Sequence, residues 1–268
     1  MSKNYALITG ASCGLGKAFA YELAERKFNL VLVSLPNESL SVLAYNLRLF
    51  GVDVHYYETD LTQRENVLQL TNWVNAQFEV SVLINNAGIG GSRRFAEADP
   101  EYINNIIQLN VMCTSLLTRA MLPNLMKQQQ SYILNVSSMA AFSPMGFKTV
   151  YPASKAFIHH FSRGLYQELK DTNIFVSVVN PGPMKTNSDS TARINQQGLI
   201  ARLALMSPEK VAKVSIRQLL KKDSMIMLNW INGIQWLLIK LIPIWLRLPF
   251  ITKVIEREVN MNRKMAKA

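Results

Sequence analysis

Tyr151 and Lys155 lie four residues apart in the stretch Tyr151-Pro152-Ala153-Ser154-Lys155. This spacing places both side chains on one face of a helix. A phenol has a pKa of about 10, which is too high for acid–base work near neutral pH. An ammonium group one turn away favours the phenolate, and a second cation bound beside the ring would favour it further. The pair could therefore exchange a proton with a substrate, although this spacing alone more often marks a surface lysine beside a half-buried tyrosine.

The residues around this pair favour a helix. Between Val150 and Lys170 the sequence carries one apolar side chain per turn. These apolar residues are Ala153, Phe157, Phe161, Leu165 and Leu169. The pattern predicts a helix that carries Tyr151 and Lys155 together.

A glycine-rich turn near the N-terminus is the second chemical feature. The apolar segment Tyr5–Thr9 predicts a strand, Gly10-Ala11-Ser12-Cys13-Gly14-Leu15-Gly16 follows it, and a helical pattern runs from about Gly14 to Lys27. Such a turn lets the backbone approach a pyrophosphate, and the helix N-terminus offers unpaired N–H groups to that anion. A turn without a ligand is the alternative, but the strand–turn–helix order favours nucleotide binding.

Apolar runs and helical patterns alternate along the rest of the chain. The other predicted strands are Leu30–Ser34, Asp53–Glu58, Ser81–Asn85, Tyr132–Ser137, Ile174–Asn180 and Met225–Leu228. The other predicted helices are Glu38–Leu49, Arg64–Phe78, Pro100–Lys127 and one that begins at Ser207-Pro208-Glu209. Continuous apolar strands indicate burial on both faces, and therefore a parallel sheet covered by helices. The sequence predicts a doubly wound, Rossmann-like α/β fold that binds ligands at the carboxyl ends of its strands.

Polar and glycine-rich segments follow several predicted strands. They are Asp60-Leu61, Asn85-Asn86-Ala87-Gly88, Ser137-Ser138 and Pro181-Gly182. Each segment alone could be ordinary turn chemistry. Because the strand ends of a parallel sheet share one edge, we expect these segments to lie beside Tyr151 and Lys155.

Length and composition fit a folded protein in a reducing compartment. With 268 residues, 49% hydrophobic and 18% charged, the chain can bury a large core and is not disordered. Cys13 and Cys113 give no disulfide framework, and the N-terminus has no secretory apolar stretch, so we expect a cytoplasmic protein. His55, His159 and His160 show no metal-ligand spacing, and we interpret His159-His160 as a surface pair.

The net charge of +11 is unevenly distributed. Residues 1–183 carry 14 basic and 13 acidic side chains, whereas residues 184–268 carry 15 basic and 5 acidic side chains. The basic C-terminal third points to an anionic surface or partner. We expect no nucleic-acid binding, because the charges lie among large aliphatic residues.

From Ala6 to about Thr186, the chain resembles the short-chain dehydrogenase/reductase family. The segment TGASCGLG is similar to the TGxxxGxG cofactor loop of that family, and residues 85–88 are similar to its NNAG segment. Residues 181–186 resemble its PGxxxT nicotinamide segment, with Met184 where Val or Ile is commoner. The resemblance implies an NAD(P)(H)-dependent oxidoreductase that interconverts a carbonyl and an alcohol, on a substrate that we expect to be lipophilic.

The resemblance also implies roles for particular residues. The catalytic residues would be Asn110, Ser138, Tyr151 and Lys155. Tyr151 would be the general acid and base, Lys155 would lower its pKa and bind the ribose, and Ser138 would polarise the carbonyl oxygen. Asn110 would orient a water molecule. The cofactor-binding residues would be Gly10, Ser12, Cys13, Gly14, Leu15, Gly16, Ser34, Asp60 (at the adenine), Leu61, Asn86, Ala87, Gly88, Tyr151, Lys155, Pro181, Gly182, Met184 and Thr186.

The end of the second predicted strand bears on the choice between NAD and NADP. An acidic residue there would bind the ribose hydroxyls of NAD, and a basic residue would accept the 2′-phosphate of NADP. The sequence Ser34-Leu35-Pro36-Asn37 supplies neither, and the first carboxylate is that of Glu38. Ser34 and Asn37 could hydrogen-bond a phosphate, so we expect NADP.

Residues 230–268 form a C-terminal extension to a catalytic domain of residues 1–229 in our interpretation. The extension combines three Trp with many aliphatic residues, but polar residues such as Asn232, Lys240 and Arg247 interrupt it, so a membrane span is not expected. One interpretation is a lid or dimer contact over the substrate pocket. The other is an anchor on an anionic membrane surface, with Trp230, Trp236, Leu237, Ile244 and Trp245 in the headgroup layer.

Three functions remain open from the sequence. The first is the oxidoreductase described above, expected to be a homo-oligomer such as a dimer. The second is a non-catalytic sensor or scaffold that binds a dinucleotide on the same fold, which would not need Ser138, Tyr151 and Lys155 together. The third is a membrane-surface interaction protein whose enzymatic body is secondary.

Overall fold

The computed structural model of the chain describes residues 4–184 and 205–265, apart from the side chains of residues 258 and 261–265. A seven-stranded sheet lies at its centre, in the order β3-β2-β1-β4-β5-β6-β7, with every neighbouring pair parallel. The strands are β1 Tyr5–Thr9, β2 Asn29–Ser34, β3 Val54–Glu58, β4 Val80–Asn85, β5 Ser131–Val136, β6 Ile174–Val179 and β7 Met225–Ile226.

Helices follow the strands in alternation and continue beyond the last one. Their bounds are α1 Gly14–Glu25, α2 Leu40–Arg48, α3 Arg64–Gln77, α4 Pro100–Ile107, α5 Thr114–Met126, α6 Val150–Glu168, α7 Pro208–Leu220, α8 Trp230–Leu241 and α9 Ile244–Met265. A π-helical turn, Gln108–Cys113, joins α4 to α5, and 3₁₀ turns occur at Phe95–Glu97 and Met139–Phe142.

The sheet is buried on both faces, which explains its apolar strands. Along β2, Leu30 and Leu32 belong to one core cluster, whereas Val31 and Val33 belong to a second cluster on the opposite face. All four side chains are fully buried. The predicted doubly wound parallel α/β fold is therefore confirmed.

The chain reverses its winding direction between β1 and β4, and this point creates the crevice of the fold. β1 pairs with β2 on one side and with β4 on the other, so the loops after β1 and β4 diverge from adjacent strands. The hydroxyl oxygen of Thr9 joins the two loops, because it accepts hydrogen bonds of 3.0 Å from the backbone N–H groups of both Asn86 and Ala87.

The predicted helix over 100–127 is interrupted. The turn Gln108–Cys113 is π-helical, which widens the helix by one residue and turns Asn110 into the protein, where it is buried. Sequence periodicity does not reveal such a turn, because the residues on both sides of it remain helical.

The first part of helix α6 packs with a different face than its apolar stripe suggests, whereas Leu165 and Leu169 at the end of the stripe do pack against the core. Its buried side chains include Pro152, Lys155, Ile158, His159 and Ser162, which face the sheet. By contrast, Ala153 and Phe157 of the stripe are exposed and Phe161 is half-buried, with the two phenyl rings stacked 5.8 Å apart. The interpretation of residues 159–160 as a surface pair was wrong for His159.

His159 is buried because it contacts neighbouring elements on both sides. Its Nδ1 lies 3.2 Å from Oδ1 of Asn180, and its ring packs 4.8 Å from the ring of Phe142 in a T-shaped arrangement. Burial is the main cause that lowers the pKa of this imidazole below its usual value.

Helices α8 and α9 cover the segment that leads into α6. Arg247 Nη1 donates to the carbonyl oxygen of Phe142 at 3.1 Å, and the N–H of Gly146 donates to Oγ1 of Thr252 at 3.2 Å. Within residues 4–184 and 205–265, no helix combines the length and the hydropathy needed to cross a bilayer.

Candidate active site

The glycine loop between β1 and α1 has the backbone geometry of an anion cradle. Gly10 and Gly14 have φ values of +64° and +53°, the left-handed region that disfavours other residues. Cys13 precedes the helix in an extended conformation and makes no capping hydrogen bond, and the first turn of α1 holds no acidic side chain. The N–H groups of that turn are therefore available to a phosphate anion.

Gly16 is required at its position by a close contact. A Cβ atom on Gly16 would lie 1.9 Å from the carbonyl oxygen of Gly10 and 2.6 Å from Nδ2 of Asn86. The same Asn86 Nδ2 donates to the carbonyl oxygens of Thr9 and Gly10, at 2.8 and 3.1 Å. Asn86 thus fixes the shape of the glycine loop from the adjacent strand, and the cradle fits a dinucleotide pyrophosphate.

The strand ends beside the loop carry the residues assigned to the adenosine half. Asp60 Oδ1 accepts from the N–H and the hydroxyl of Thr62, at 2.9 and 2.8 Å, and Leu61 is buried. Ser34 is also buried, and its hydroxyl donates to the carbonyl oxygen of Leu35 at 3.0 Å. In this arrangement the Ser34 hydroxyl is committed to its own turn.

Glu38 reaches the glycine loop, which the sequence did not indicate. Its Oε2 accepts a hydrogen bond of 2.5 Å from the hydroxyl of Ser12. A carboxylate therefore lies at the edge of the cradle, although it comes four residues after the end of β2.

Lys155 is a buried cation beneath the strand edge. Its side chain is only 6% exposed, and its Nζ donates to the carbonyl oxygen of Val136 at 3.0 Å. Burial lowers the pKa of Lys155 to about 8. Its Nζ lies 5.9 Å from the centre of the Tyr151 ring.

The turn after β4 separates Lys155 from Asn110. A Cβ atom on Gly88 would lie 3.1 Å from both Lys155 Nζ and Asn110 Oδ1, so the two groups converge on this glycine. A Cβ atom on Gly90 would lie 2.4 Å from the Tyr151 ring. Glycine at both positions lets the backbone pass directly against the polar groups.

Asn110 is positioned by the π-helical turn and by backbone hydrogen bonds. Its Nδ2 donates to the carbonyl oxygen of Ile89 and to Oγ of Ser154, both at 2.9 Å, and its Oδ1 accepts from the N–H of Ile89 at 3.0 Å. Asn110 therefore ties the turn after β4 to helix α6.

Ser138 lies at the end of β5, at the start of a 3₁₀ turn. Its Oγ accepts from the N–H of Ala140 at 3.1 Å, and in the described ranges it donates to no protein acceptor. The neighbouring Ser137 donates to the carbonyl oxygen of Lys155 at 2.8 Å. The pair thus fixes α6 to β5 and leaves one hydroxyl proton for a bound oxygen atom.

The segment after β6 is described only in part. The buried Pro181 accepts a hydrogen bond of 2.9 Å from the N–H of Met139, which brings this segment next to Ser138. Gly182 is half-buried, and Met184 forms a short parallel bridge with Met206. Thr186 lies outside the described residues.

Several residues that sequence reasoning missed also build the site. Thr9 joins the two loops, Gly90 contacts the Tyr151 ring, and Ser154 bonds Asn110 and the carbonyl oxygen of Tyr151. Ser154 comes three residues after Tyr151, and this spacing places both residues on the same face of a helix. That spacing is the signal by which Ser154 could have been found from the sequence. The contact of Glu38 with the loop has no local signal, because it depends on the path of the chain after β2.

No cluster of three or more His, Cys, Asp or Glu side chains suited to a metal ion occurs in the described part of the chain. Adjacent strand ends carry a glycine cradle, an inward lysine beside a tyrosine, and a serine hydroxyl. This arrangement is suited to binding a dinucleotide and to transferring a proton.

The chain belongs to the short-chain dehydrogenase/reductase family. Residues 4–197 match the family described as short chain dehydrogenase, and this match confirms the resemblance. The very-long-chain 3-oxoacyl-CoA reductase of Anas platyrhynchos is 36% identical over 188 residues, 66% of this chain and 58% of the relative. The 17-beta-hydroxysteroid dehydrogenase type 3 of Homo sapiens is 33% identical over 186 residues, 68% of this chain and 59% of the relative.

Solved structures resemble nearly the whole chain. A short-chain dehydrogenase from Sphingobium yanoikuyae in complex with NADPH is 27% identical with a TM-score of 0.76, covering 90% of this chain and 96% of that one. The bulky-bulky ketone specific alcohol dehydrogenase from Comamonas testosteroni is also 27% identical, with a TM-score of 0.74 and coverage of 90% and 95%. The curated relatives are longer, and the chain matches less than two thirds of their length.

The substitution Gly16→Ala tests the glycine cradle. We expect it to weaken the binding of NADPH and NADH by at least about tenfold, because its methyl group would overlap the Gly10 carbonyl oxygen. Gly164→Ala in α6 is the matched control, since a Cβ atom there meets nothing within 4 Å. Fluorescence titration with both dinucleotides would measure the effect, and unchanged binding by Gly16→Ala would contradict the assignment of the cradle.

The depressed pKa of Lys155 predicts a pH-dependent stability. Because burial moves its pKa from 10.5 to about 8, the unfolded chain binds more protons than the native protein between these values. The buried ammonium therefore opposes folding most strongly below pH 8, and stability rises as pH increases through this window. Lys155→Met removes the effect, so its free energy of unfolding relative to the parent should fall by about 3 kcal/mol from pH 7 to pH 10.5. Urea denaturation across this range measures it, and a constant difference would contradict it.

Proposed function

We propose that the protein is an NADP(H)-dependent oxidoreductase that interconverts a carbonyl and an alcohol on a lipophilic substrate. The observation that carries the proposal is the convergence of Tyr151, Lys155 and Asn110 on the turn Gly88–Gly90, with Ser138 at the adjacent strand end. These groups lie beside a glycine loop that fits a dinucleotide. A non-catalytic dinucleotide binder would not require this combination.

The proposed chemistry assigns the proton steps to Tyr151 and Lys155. The dinucleotide supplies a hydride for carbonyl reduction and accepts it in the reverse direction. As negative charge develops on the substrate oxygen, the hydroxyl of Tyr151 donates its proton there. The ammonium group of Lys155 lies 5.9 Å from the ring centre, where its positive charge stabilises the resulting phenolate.

Ser138 and Asn110 have supporting roles in the proposal. The Ser138 hydroxyl donates to the substrate oxygen, and its own oxygen is oriented by the N–H of Ala140. Asn110 holds the turn at Ile89, and in the proposal it would orient a water molecule that passes protons towards Lys155.

The substrate pocket supports a lipophilic substrate. The groove beside Tyr151 is lined on one part by apolar and aromatic side chains, namely Phe95, Tyr102, Ile103 and Phe147, and it also contacts the basic residues Arg93 and Lys148. The relatives named above act on very-long-chain 3-oxoacyl-CoA and on hydroxysteroids according to their names. Both substrate classes carry a large hydrocarbon part, which the apolar side chains of the groove can contact.

NADP(H) is the proposed cofactor, although one residue near the cradle, Glu38, disfavours a second phosphate. It is supported by the absence of an acidic residue at Leu35 and by the similar Sphingobium structure, which holds NADPH. Glu38 opposes it, because its carboxylate bonds Ser12 at the edge of the cradle. If Ser12 is to donate to the 2′-phosphate of NADP, its hydroxyl would have to release Glu38.

We propose further that the enzyme is a homo-oligomer in a reducing, cytoplasmic environment and works at a membrane surface. The exposed apolar stripe of α6, with Ala153 and Phe157, supports an oligomer, since it lies on the helix that carries Tyr151. The free thiols of Cys13 and Cys113 fit a reducing environment. The C-terminal helices support the membrane surface.

The substitution Tyr151→Phe tests the catalytic role. We expect turnover to fall by at least about a thousandfold, because only the transferable proton is lost, while dinucleotide binding stays within about threefold. Steady-state assays with a panel of ketones, acyl thioesters and alcohols would measure turnover. Tyr166→Phe, also on α6, serves as the control. Turnover within about tenfold of the parent would rule out the assignment.

Cofactor choice is tested at Glu38. The parent protein should bind NADPH more tightly than NADH, and Glu38→Gln should widen that preference because it removes a negative charge beside the phosphate site. Glu25→Gln makes the same charge change at the exposed far end of α1 and should leave the preference unchanged. Isothermal titration with both dinucleotides would measure it. Equal affinities, or tighter NADH binding by the parent, would refute the proposed preference.

A further inference from the structure

One side of α8 is apolar and exposed. Trp230, Ile234, Leu237, Leu238 and Leu241 recur at helical spacing and are all exposed, with Trp230 at 74%. The stripe continues through the connection between the two helices, where Ile242 and Ile244 are exposed, into α9. Of the 21 large exposed hydrophobic side chains in the described ranges, 11 lie between residues 230 and 254. Such a concentration marks an interaction surface rather than scattered surface residues.

The first half of α9 extends this surface. Leu246, Phe250 and Val254 are exposed at four-residue intervals, and Trp245 is 70% exposed beside them. We call the exposed apolar side of α8 and of α9 up to Val254 the outer face.

The opposite side of both helices is attached to the catalytic body. The Trp236 ring packs 6.5 Å from the ring of Phe142, and Arg247 and Thr252 bond the backbone of the same segment. Ile255 is buried. Because the inner side is held in this way, the outer face must point away from the body. Trp236 therefore does not belong to the outer face, contrary to the expectation from sequence.

The charges around the outer face are positive. Lys253 and Arg257 are exposed and lie three residues after Phe250 and Val254, on the same side of α9. The Lys240 ammonium lies 4.0 Å from the centre of the Trp236 ring, at the flank of α8. The acidic Glu256 pairs with Arg94 of the body at 3.6 Å, which offsets its negative charge. Residues 230–268 contain seven basic and two acidic side chains in total.

We propose that the outer face docks on the surface of a bilayer that contains anionic lipid. Exposed tryptophans at Trp230 and Trp245 suit the headgroup boundary, and the surrounding Lys and Arg side chains complement anionic headgroups. A second copy of the chain is a poorer partner for this face, because the positive charges on the two copies would repel each other. An amphipathic, basic pair of helices lies in the interface plane instead of crossing it.

The docked position has a consequence for the active site, and this part rests on the proposed function. Thr252 bonds Gly146, and the next residue, Phe147, lines the groove beside Tyr151. Arg94, which pairs with Glu256, lies between two residues that line this groove, Arg93 and Phe95. Helix α9 therefore contacts residues that are next in sequence to the groove lining at two places, and we expect a lipophilic substrate dissolved in the bilayer to reach the groove over a short path.

Co-sedimentation of the full-length protein with vesicles tests the proposal. We expect it to pellet with vesicles of phosphatidylcholine containing about 30% phosphatidylglycerol, and not with phosphatidylcholine alone. Salt at about 0.5 M should weaken binding by at least about tenfold, because it screens the charges. The double variant Trp245→Ser/Phe250→Ser should bind at least about tenfold more weakly.

A matched control separates the outer face from exposed hydrophobicity in general. Leu49→Ser removes a side chain that is 74% exposed elsewhere, and it should bind vesicles like the parent. Circular dichroism and dinucleotide titration confirm that each variant is folded.

The outcomes distinguish this proposal from the proposed function. Absent pelleting, equal binding to neutral vesicles, or a double variant that binds like the parent would overturn the docking surface. A double variant that loses self-association without losing vesicle binding would also overturn it, because it would assign the face to a second copy. Turnover of a water-soluble ketone should be the same in the parent and the double variant. Vesicle binding by an inactive protein would refute the enzymatic function and leave the docking surface standing.

Discussion

The burial of the Lys155 ammonium is the constraint on which the site depends. A buried cation is costly, and the carbonyl oxygen of Val136 at the end of β5 offsets part of that cost by accepting a hydrogen bond from it. The hydroxyl of Ser137 bonds the backbone of Lys155 in return. These two contacts fix α6 against the sheet edge. Tyr151 lies one turn earlier on the same helix, so its position is determined by the contacts that hold Lys155 at the sheet edge.

Features that depend on neighbours in the sequence could be predicted from it. The strand Tyr5–Thr9 and the helix start at Gly14 lie where the pattern places them, because a glycine turn between an apolar run and a helix is a local signal. The site residues that follow strand ends also lie at one edge, since a parallel sheet allows no other arrangement.

Features that depend on distant contacts could not be predicted. Asn110 turns inward because its amide bonds the backbone of Ile89, 21 residues away, and the π-helical turn accommodates that geometry. In the first part of α6, the residues that periodicity selects, Ala153 and Phe157, are exposed, whereas the buried face contains Lys155 and Ser162. Ser162 is buried because Asn135 of β5 donates to its hydroxyl. Similarly, Trp236 is the tryptophan of the C-terminal helices that points inward, because its ring packs against Phe142.

The contact between Gly146 and Thr252 links two parts of the chain that are 106 residues apart. A Cβ atom on Gly146 would lie 2.5 Å from Cγ2 of Thr252, and a β-branched side chain has little freedom to move aside. Neither position can therefore diversify on its own during evolution. A larger residue at 146 requires a smaller one at 252, so the two sites should covary among homologues that keep helix α9. The segment around Gly146 could be exchanged between relatives only if the helix that carries residue 252 were transferred with it.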